Sequence, residues 1–203
     1  MTRRYALRSA AVFAGAALVA ASAAGPANAA VPAASHAAGA SAIAAVERES
    51  FESGMGAWQP DTDGRARAWQ IYRTTDQAID GSYALGLYLD GRNDDGTIWI
   101  ERKFTARPNA TVSVSASFWL YSATSGDVNT WPVVGYAGNR DPETTADIRS
   151  VVGVLNKKGW TQYTFTRKVA TDSTGTVWVA AGIWATYETI RTNYLDLVET
   201  SIV

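Results

Sequence analysis

The sequence predicts an all-β fold, an antiparallel sandwich of two sheets. Residues 111–121 read T-V-S-V-S-A-S-F-W-L-Y, so apolar side chains alternate with serines, Trp119 and Tyr121. A period of two places successive side chains on opposite faces of a strand. An aliphatic face has to be covered by a second layer, and this strand therefore implies a facing sheet.

Short alternating segments of this kind follow one another from residue 47 onward. Turn signals rich in Gly, Asp, Asn and Pro separate them, and no segment shows a helical period. The predicted strands are 48–52, 66–74, 82–90, 97–105, 110–121, 131–137, 148–155, 160–169, 176–186 and 194–202. About ten short strands without helices fit a double-sheet jelly roll.

Several of these strands combine an aliphatic row with large aromatic residues on the opposite face. The inward rows are Leu85, Leu87 and Leu89, then Ile98, Ile100 and Phe104, then Val177, Val179, Ala181 and Ile183. Tyr88, Trp99, Trp178 and Trp184 lie on the opposite parity. We therefore expect aromatic side chains on the outer faces of the sandwich.

The first 46 residues have the composition of an export signal followed by a leader. Three arginines precede an apolar run at 10–24, and Ala27-Asn28-Ala29 matches an A-x-A cleavage site. We predict a signal peptide at 1–29, whose start resembles a twin-arginine signal, then a flexible Ala-rich leader at 30–46. A folded domain at 47–203 follows, and the protein is expected to be secreted and extracellular.

Charge and residue content exclude several classes of partner. Of the 18 basic residues three belong to the signal, which leaves 15 against 19 acidic residues, a net charge of about −4. No basic surface is expected for nucleic acid or an anionic membrane, and no later stretch is long and apolar enough to span a bilayer. The chain has no Cys, so the domain depends on its hydrophobic core rather than on disulfides.

Four short motifs resemble those of jelly-roll carbohydrate-binding modules attached to xylanases and endoglucanases. Residues 51–58, F-E-S-G-M-G-A-W, are similar to an "FE-x-G-x-x-x-W" start, and residues 80–85, D-G-S-Y-A-L, to "DG-x-x-x-L". Residues 160–165 are similar to "W-x-x-Y-x-F", and residues 194–198 to a closing "Y-x-D-x-V" strand. The resemblance covers the whole domain and implies a jelly roll that binds a polysaccharide or oligosaccharide. It also implies buried positions for Trp58, Trp69 and Trp160.

A structural calcium ion is the usual companion of such modules. Glu52, Asp80 and Asp196 stand at the matching positions, and carboxylate oxygens are suitable calcium ligands. The alternative is that all three are ordinary surface or turn carboxylates.

Carbohydrate is recognised by aromatic rings that stack on the C–H face of a sugar and by polar groups that bond its hydroxyls. The candidate residues share outward parity on the predicted strands. They are Trp119, Tyr121, Trp178, Trp184, Trp99, Tyr88, Gln162 and Glu101. The alternative is that several of these aromatics are buried under loops.

Two other functions stay open at this stage. The only histidine, His36, lies in the leader, so the domain has no His and no Cys for a nucleophile system. A small polysaccharide-cleaving enzyme would need paired carboxylates, with Glu101 as one and Glu188 or Asp90 as the other. A structural or protein-binding module without a glycan ligand is the third alternative.

Overall fold

The structure is a computed structural model that describes residues 46–124, 130–148 and 150–203. The predicted signal peptide and the leader up to residue 45 lie outside these residues. The regular elements are β1 (Val46–Glu49), β2 (Gln59–Thr62), β3 (Ala68–Thr74), β4 (Ala84–Asp90), β5 (Thr97–Thr105), β6 (Thr111–Ser122), β7 (Trp131–Gly138), β8 (Val151–Leu155), β9 (Gly159–Ala170), β10 (Thr176–Trp184) and β11 (Ile190–Ile202). The part of the chain that the structure describes contains no helix long and apolar enough to cross a membrane.

The strands form two antiparallel sheets, as predicted. Sheet A has the order β3-β4-β11-β6-β9, and β1 pairs with the later part of β11. Sheet B has the order β2-β5-β10-β7-β8. Strands that are distant in sequence are neighbours in both sheets, which is typical of a sandwich with long connections.

The core lies between the sheets and consists of the predicted inward rows. Leu85, Leu87 and Leu89 of sheet A are fully buried, as are Ile98 and Ile100 of sheet B. Trp58 closes the core with its ring edge-on to Phe104, at 6.3 Å between centroids. The burial predicted for Trp58 is confirmed, and Trp69 is half-buried against the same core.

One strand was not expected from the sequence. Pro60 and the acidic residues after it predict a turn, whereas the structure pairs Gln59–Thr62 with β5 as an edge strand. Proline has no N–H to donate and is tolerated on a strand with a neighbour on one side only. The local turn signal is therefore overridden by pairing with a distant strand.

Candidate functional site

The outer face of sheet A carries four of the predicted sugar-binding residues. Trp119 and Tyr121 of β6 and Tyr88 of β4 are half-buried, and Gln162 of β9 is exposed. Their core-facing neighbours on the same strands, such as Phe118 and Leu120, are fully buried. The predicted parity of these strands is confirmed.

The strand register assembles a row of aromatic side chains that runs across sheet A. Tyr121 lies opposite Trp160 on one neighbouring strand and opposite Tyr194 on the other. Tyr194 lies opposite Gly86, which in turn lies opposite Tyr72. We call Tyr72, Tyr194, Tyr121 and Trp160 the aromatic row. Its four rings are half-buried and come from four different strands.

Three rings of the aromatic row pack edge to face, with Tyr121 between Trp160 and Tyr194. The Tyr121 ring lies 5.5 Å from the Trp160 ring and 5.9 Å from the Tyr194 ring, with interplanar angles of 64° and 68°. Mutual packing of this kind orients aromatic rings and restricts their rotamers. These three rings are therefore held in fixed orientations on the sheet.

Gly86 is the member of this line on β4, between Tyr194 and Tyr72, and it has no side chain. A Cβ placed there would lie 2.7 Å from Cζ of Tyr72. The Tyr72 ring therefore leans over the backbone of β4 toward the strand that carries Tyr194. A glycine at this point allows the line of rings to continue across all five strands.

Polar groups flank the aromatic row on both sides. Gln162 lies opposite Trp119, and Gln70 lies opposite Tyr88. Burial, reinforced by the nearby charge of Asp76, raises the pKa of Tyr194 above its usual range. Its hydroxyl therefore stays protonated near neutral pH, where it can donate a hydrogen bond to the Asp76 carboxylate.

The outer face of sheet B is different, because the chain itself covers it. Trp178 and Trp184 are half-buried there, but Trp99 is fully buried and Glu101 is 6% exposed. Ile148, from the loop between β7 and β8, packs with Trp99 and Ala180 in a small separate cluster. The exposure predicted for Trp99 and Glu101 is wrong, since this loop lies over them.

Glu101 is held in an acidic and largely dry environment. Its Oε2 atom accepts a hydrogen bond of 2.7 Å from the Trp99 indole N–H. Burial, together with the charges of Asp141 and Asp61, raises the pKa of Glu101 to about 7. The carboxylates beside Glu101 are thus these two aspartates.

The acid pair expected for a polysaccharide-cleaving enzyme does not form. Asp90 lies in sheet A and forms an ion pair of 2.7 Å with Arg92, which lowers the pKa of Asp90. Glu188 is exposed on the loop between β10 and β11. Glu101 therefore has neither predicted partner, and the loop between β7 and β8 separates it from solvent.

A depression of about 560 Å³ lies at one end of this face. It is lined by Arg65, Thr144, Thr145, Ala146 and Trp184. The buried indole N–H of Trp184 has no hydrogen-bond partner among the described residues. Trp184 is thus a predicted site residue that borders a cavity on sheet B.

The three predicted calcium ligands meet at one turn, residues 79–83. Asp80 lies in this turn, and Asp196 and Glu52 bind to its backbone. Asp196 Oδ2 accepts hydrogen bonds from the Ile79 and Asp80 amides, and Glu52 Oε1 accepts from those of Ser82 and Tyr83. Among the described residues no group of three such side chains converges as a metal site. In this arrangement the carboxylates do not form a calcium ligand set, and calcium binding stays a prediction of the resemblance.

A melting temperature that is higher in calcium than in EDTA would support calcium binding. An equal melting temperature in the two buffers would contradict it.

Asp196 connects the turn to β11 through both of its carboxylate oxygens. Its second oxygen, Oδ1, accepts a 2.7 Å hydrogen bond from the Leu197 amide. In Asp196→Asn one of the two oxygens becomes an NH₂ group, which cannot accept a hydrogen bond, so at least one backbone N–H loses its acceptor. We expect this substitution to lower the free energy of unfolding by about 1–3 kcal/mol. Urea denaturation checks the prediction, and an unchanged midpoint would contradict it.

Comparison with known proteins finds similar folds at low identity. The CBM22-1 xylan-binding domain of Paenibacillus barcinonensis Xyn10C is 15% identical with a TM-score of 0.49, over 79% of this chain and 96% of that one. The C-terminal family 22 carbohydrate-binding module of Clostridium thermocellum Xyn10B is 14% identical with a TM-score of 0.48, over 77% and 92%. The K1 cleaved adhesin domain of Lys-gingipain from Porphyromonas gingivalis is 15% identical with a TM-score of 0.45, over 78% and 98%.

No protein-family model matches the chain, and no curated protein sequence matches it. The structural neighbours include the kind of module that the sequence motifs resemble. These are likenesses of fold, and the ligand of this chain has to be inferred from its own residues.

Three members of the aromatic row were not among the predicted site residues. Trp160 was expected in the core, and that prediction is wrong, because its register partner Tyr121 points away from the core. Tyr72 and Tyr194 alternate with core residues on their strands, so parity alone indicates that they face outward. Their alignment with Tyr121 depends on strand order and register, which no local pattern reveals.

Proposed function

We propose that this protein is a non-catalytic carbohydrate-binding module that holds a polysaccharide on the aromatic row of sheet A. The observation that carries the proposal is the alignment of Tyr72, Tyr194, Tyr121 and Trp160 in one register line. Each ring is half-buried, so it is anchored on one side and accessible on the other. Neighbouring strands lie about 4.8 Å apart, so a line across five strands is about 19 Å long, enough for several consecutive sugar rings.

The chemistry of the face suits a neutral sugar chain. Aromatic rings contribute apolar contact with the C–H faces of pyranose rings, and Gln70, Gln162 and the Tyr194 hydroxyl can bond sugar hydroxyls at the rim. We also propose that the protein is exported before it binds, on the basis of the signal-like residues 1–29.

Binding without cleavage is favoured by the position of the acids. Glu101 is 6% exposed and lies beneath the loop between β7 and β8, on the opposite sheet from the aromatic row. Release of reducing ends from soluble glycans would test for cleavage, and a rate abolished by Glu101→Gln would replace the binding proposal with an enzymatic one.

The proposal predicts that the wild-type protein is retained on at least one insoluble polysaccharide among cellulose, xylan and chitin. Tyr121→Ala and Trp160→Ala are each expected to weaken retention roughly tenfold, which is about 1.4 kcal/mol of binding free energy. The loss follows from removing a stacking ring while the backbone of the strand stays in place. Pull-down with increasing amounts of polysaccharide measures the affinities.

Tyr187→Ala is the matched control, because Tyr187 is 44% exposed but lies on the loop between β10 and β11, outside the row. We expect it to bind as the wild type does. Equal weakening by all three substitutions, or no retention of the wild-type protein on any glycan, would overturn the proposal.

A further inference from the structure

The loop over sheet B, residues 139–148, is attached to the sheet at several points. The Tyr136 hydroxyl donates a 2.8 Å hydrogen bond to the Arg140 carbonyl, and the Thr145 hydroxyl bonds Asp63 and lies 3.3 Å from the Thr97 hydroxyl. Ile148, at its end, is fully buried against Trp99. We call residues 139–148 the covering loop.

The contact between Asp141 of the covering loop and Glu101 of β5 requires a proton on one of the two carboxylates. Asp141 Oδ1 is buried and has no N–H or O–H donor among the described residues. The Asp141 carboxyl group lies close enough to that of Glu101 to interact with it, and two ionised carboxylates cannot share a hydrogen bond. A single proton on Glu101 supplies the missing donor and removes the repulsion between the two acids.

The other groups that face Glu101 do not replace this proton. From β2 comes Asp61, whose own pKa is raised by burial and by Asp141. From β5 comes the Trp99 indole, which donates to Oε2, and from β10 comes Ala180, which lies opposite Glu101. On β7, Tyr136 is neutral, since burial and the acids of the covering loop raise its pKa.

We propose that a proton shared by Glu101 and Asp141 holds the covering loop closed over the outer face of sheet B, so that loss of this proton releases the loop and exposes the Trp99 cluster. The closed state binds the proton tightly and the open state returns Glu101 to its ordinary acidity. Burial raises the pKa of Glu101 from 4.5 to about 7 in the closed state. The closed state is therefore fully favoured below the ordinary pKa of 4.5 and loses this advantage as the pH rises from 4.5 to about 7, above which there is no further loss.

Amide hydrogen exchange of residues 140–148 in the full chain tests the proposal, after correction for the chemical exchange rate at each pH. Between pH 5 and pH 8 we expect exchange from the open state to increase by about one to two orders of magnitude. The Trp99 indole N–H should lose protection over the same pH range, because opening of the loop exposes it to solvent.

Glu101→Gln and Asp141→Asn each provide an amide donor that does not titrate, so both should keep the loop protected at pH 8. Glu188→Gln, an exposed acid outside the cluster, is the control and should behave like the wild type. Two results would overturn the proposal: wild-type protection that is the same at pH 5 and pH 8, or a pH dependence that is undiminished in whichever of the two amide variants folds.

Discussion

Phe118→Ala should lower the free energy of unfolding by about 3–5 kcal/mol, the largest loss expected from a single side chain of β6. Phe118 is fully buried between the sheets and stacks on Tyr163, with ring centroids 6.0 Å apart. Its removal leaves a cavity that the two sheets can close only in part. Urea denaturation followed by far-ultraviolet circular dichroism measures the change.

Trp119→Ala, one residue further along, is the matched comparison. Trp119 is half-buried on the outer face and lies beside the aromatic row. We expect this substitution to cost less than about 1 kcal/mol of stability, while it weakens polysaccharide retention. Equal losses of stability from both substitutions would mean that the two faces of β6 are equally enclosed, and the assignment of the outer face would be wrong.

Gly182→Ala should lower the free energy of unfolding by about 3 kcal/mol or more, or prevent folding. Gly182 lies in the central strand of sheet B, where a Cβ would lie 2.1 Å from the Ile98 carbonyl oxygen and 2.7 Å from Cα of Trp99. Both are backbone atoms of the paired strand, so the strands have to separate to admit a methyl group. Thermal and urea unfolding of the purified variant measure the loss.

Gly86→Ala is the control for this prediction. The three atoms nearest to a Cβ at Gly86 belong to the ring of Tyr72, which can swing aside. We expect a stability loss below about 1.5 kcal/mol together with weaker polysaccharide binding, because the displaced ring interrupts the aromatic row. If Gly182→Ala were as stable as Gly86→Ala, the close approach of β5 and β10 would be contradicted.

The two outer faces use large aromatic residues in different ways. On sheet A the rings support one another in a line that the described residues leave partly open, which suits a ligand that lies across the strands. On sheet B the covering loop packs Ile148 against Trp99 and encloses Glu101 with Asp141. The same sequence pattern, an aromatic residue opposite an aliphatic row, therefore leads to a partly open row of rings on one sheet and a covered cluster on the other.

The sequence alone was sufficient for most of the strands, for their faces and for the sandwich, although it did not indicate β2. Alternation along residues 111–121 correctly separated Phe118 from Trp119, and the same reasoning placed Leu85 and Ile100 in the core. Parity is a property of each strand by itself, and burial of the aliphatic row follows from the hydrophobic effect wherever the strand sits. The parity of Trp99 was also correct, although its exposure was not.

Only the tertiary structure decided which outward residues share a surface. Tyr121 acquires Trp160 and Tyr194 as neighbours because β9 and β11 pair with β6 in a particular register, and long-range register is not encoded in any local pattern. Glu101 is buried because a loop about 40 residues later in the chain folds over it, and its carboxylate neighbours come from β2 and that loop rather than from Asp90 or Glu188. Strand order and loop packing bring distant residues together through the free energy of the whole fold, whereas face and period arise within each strand.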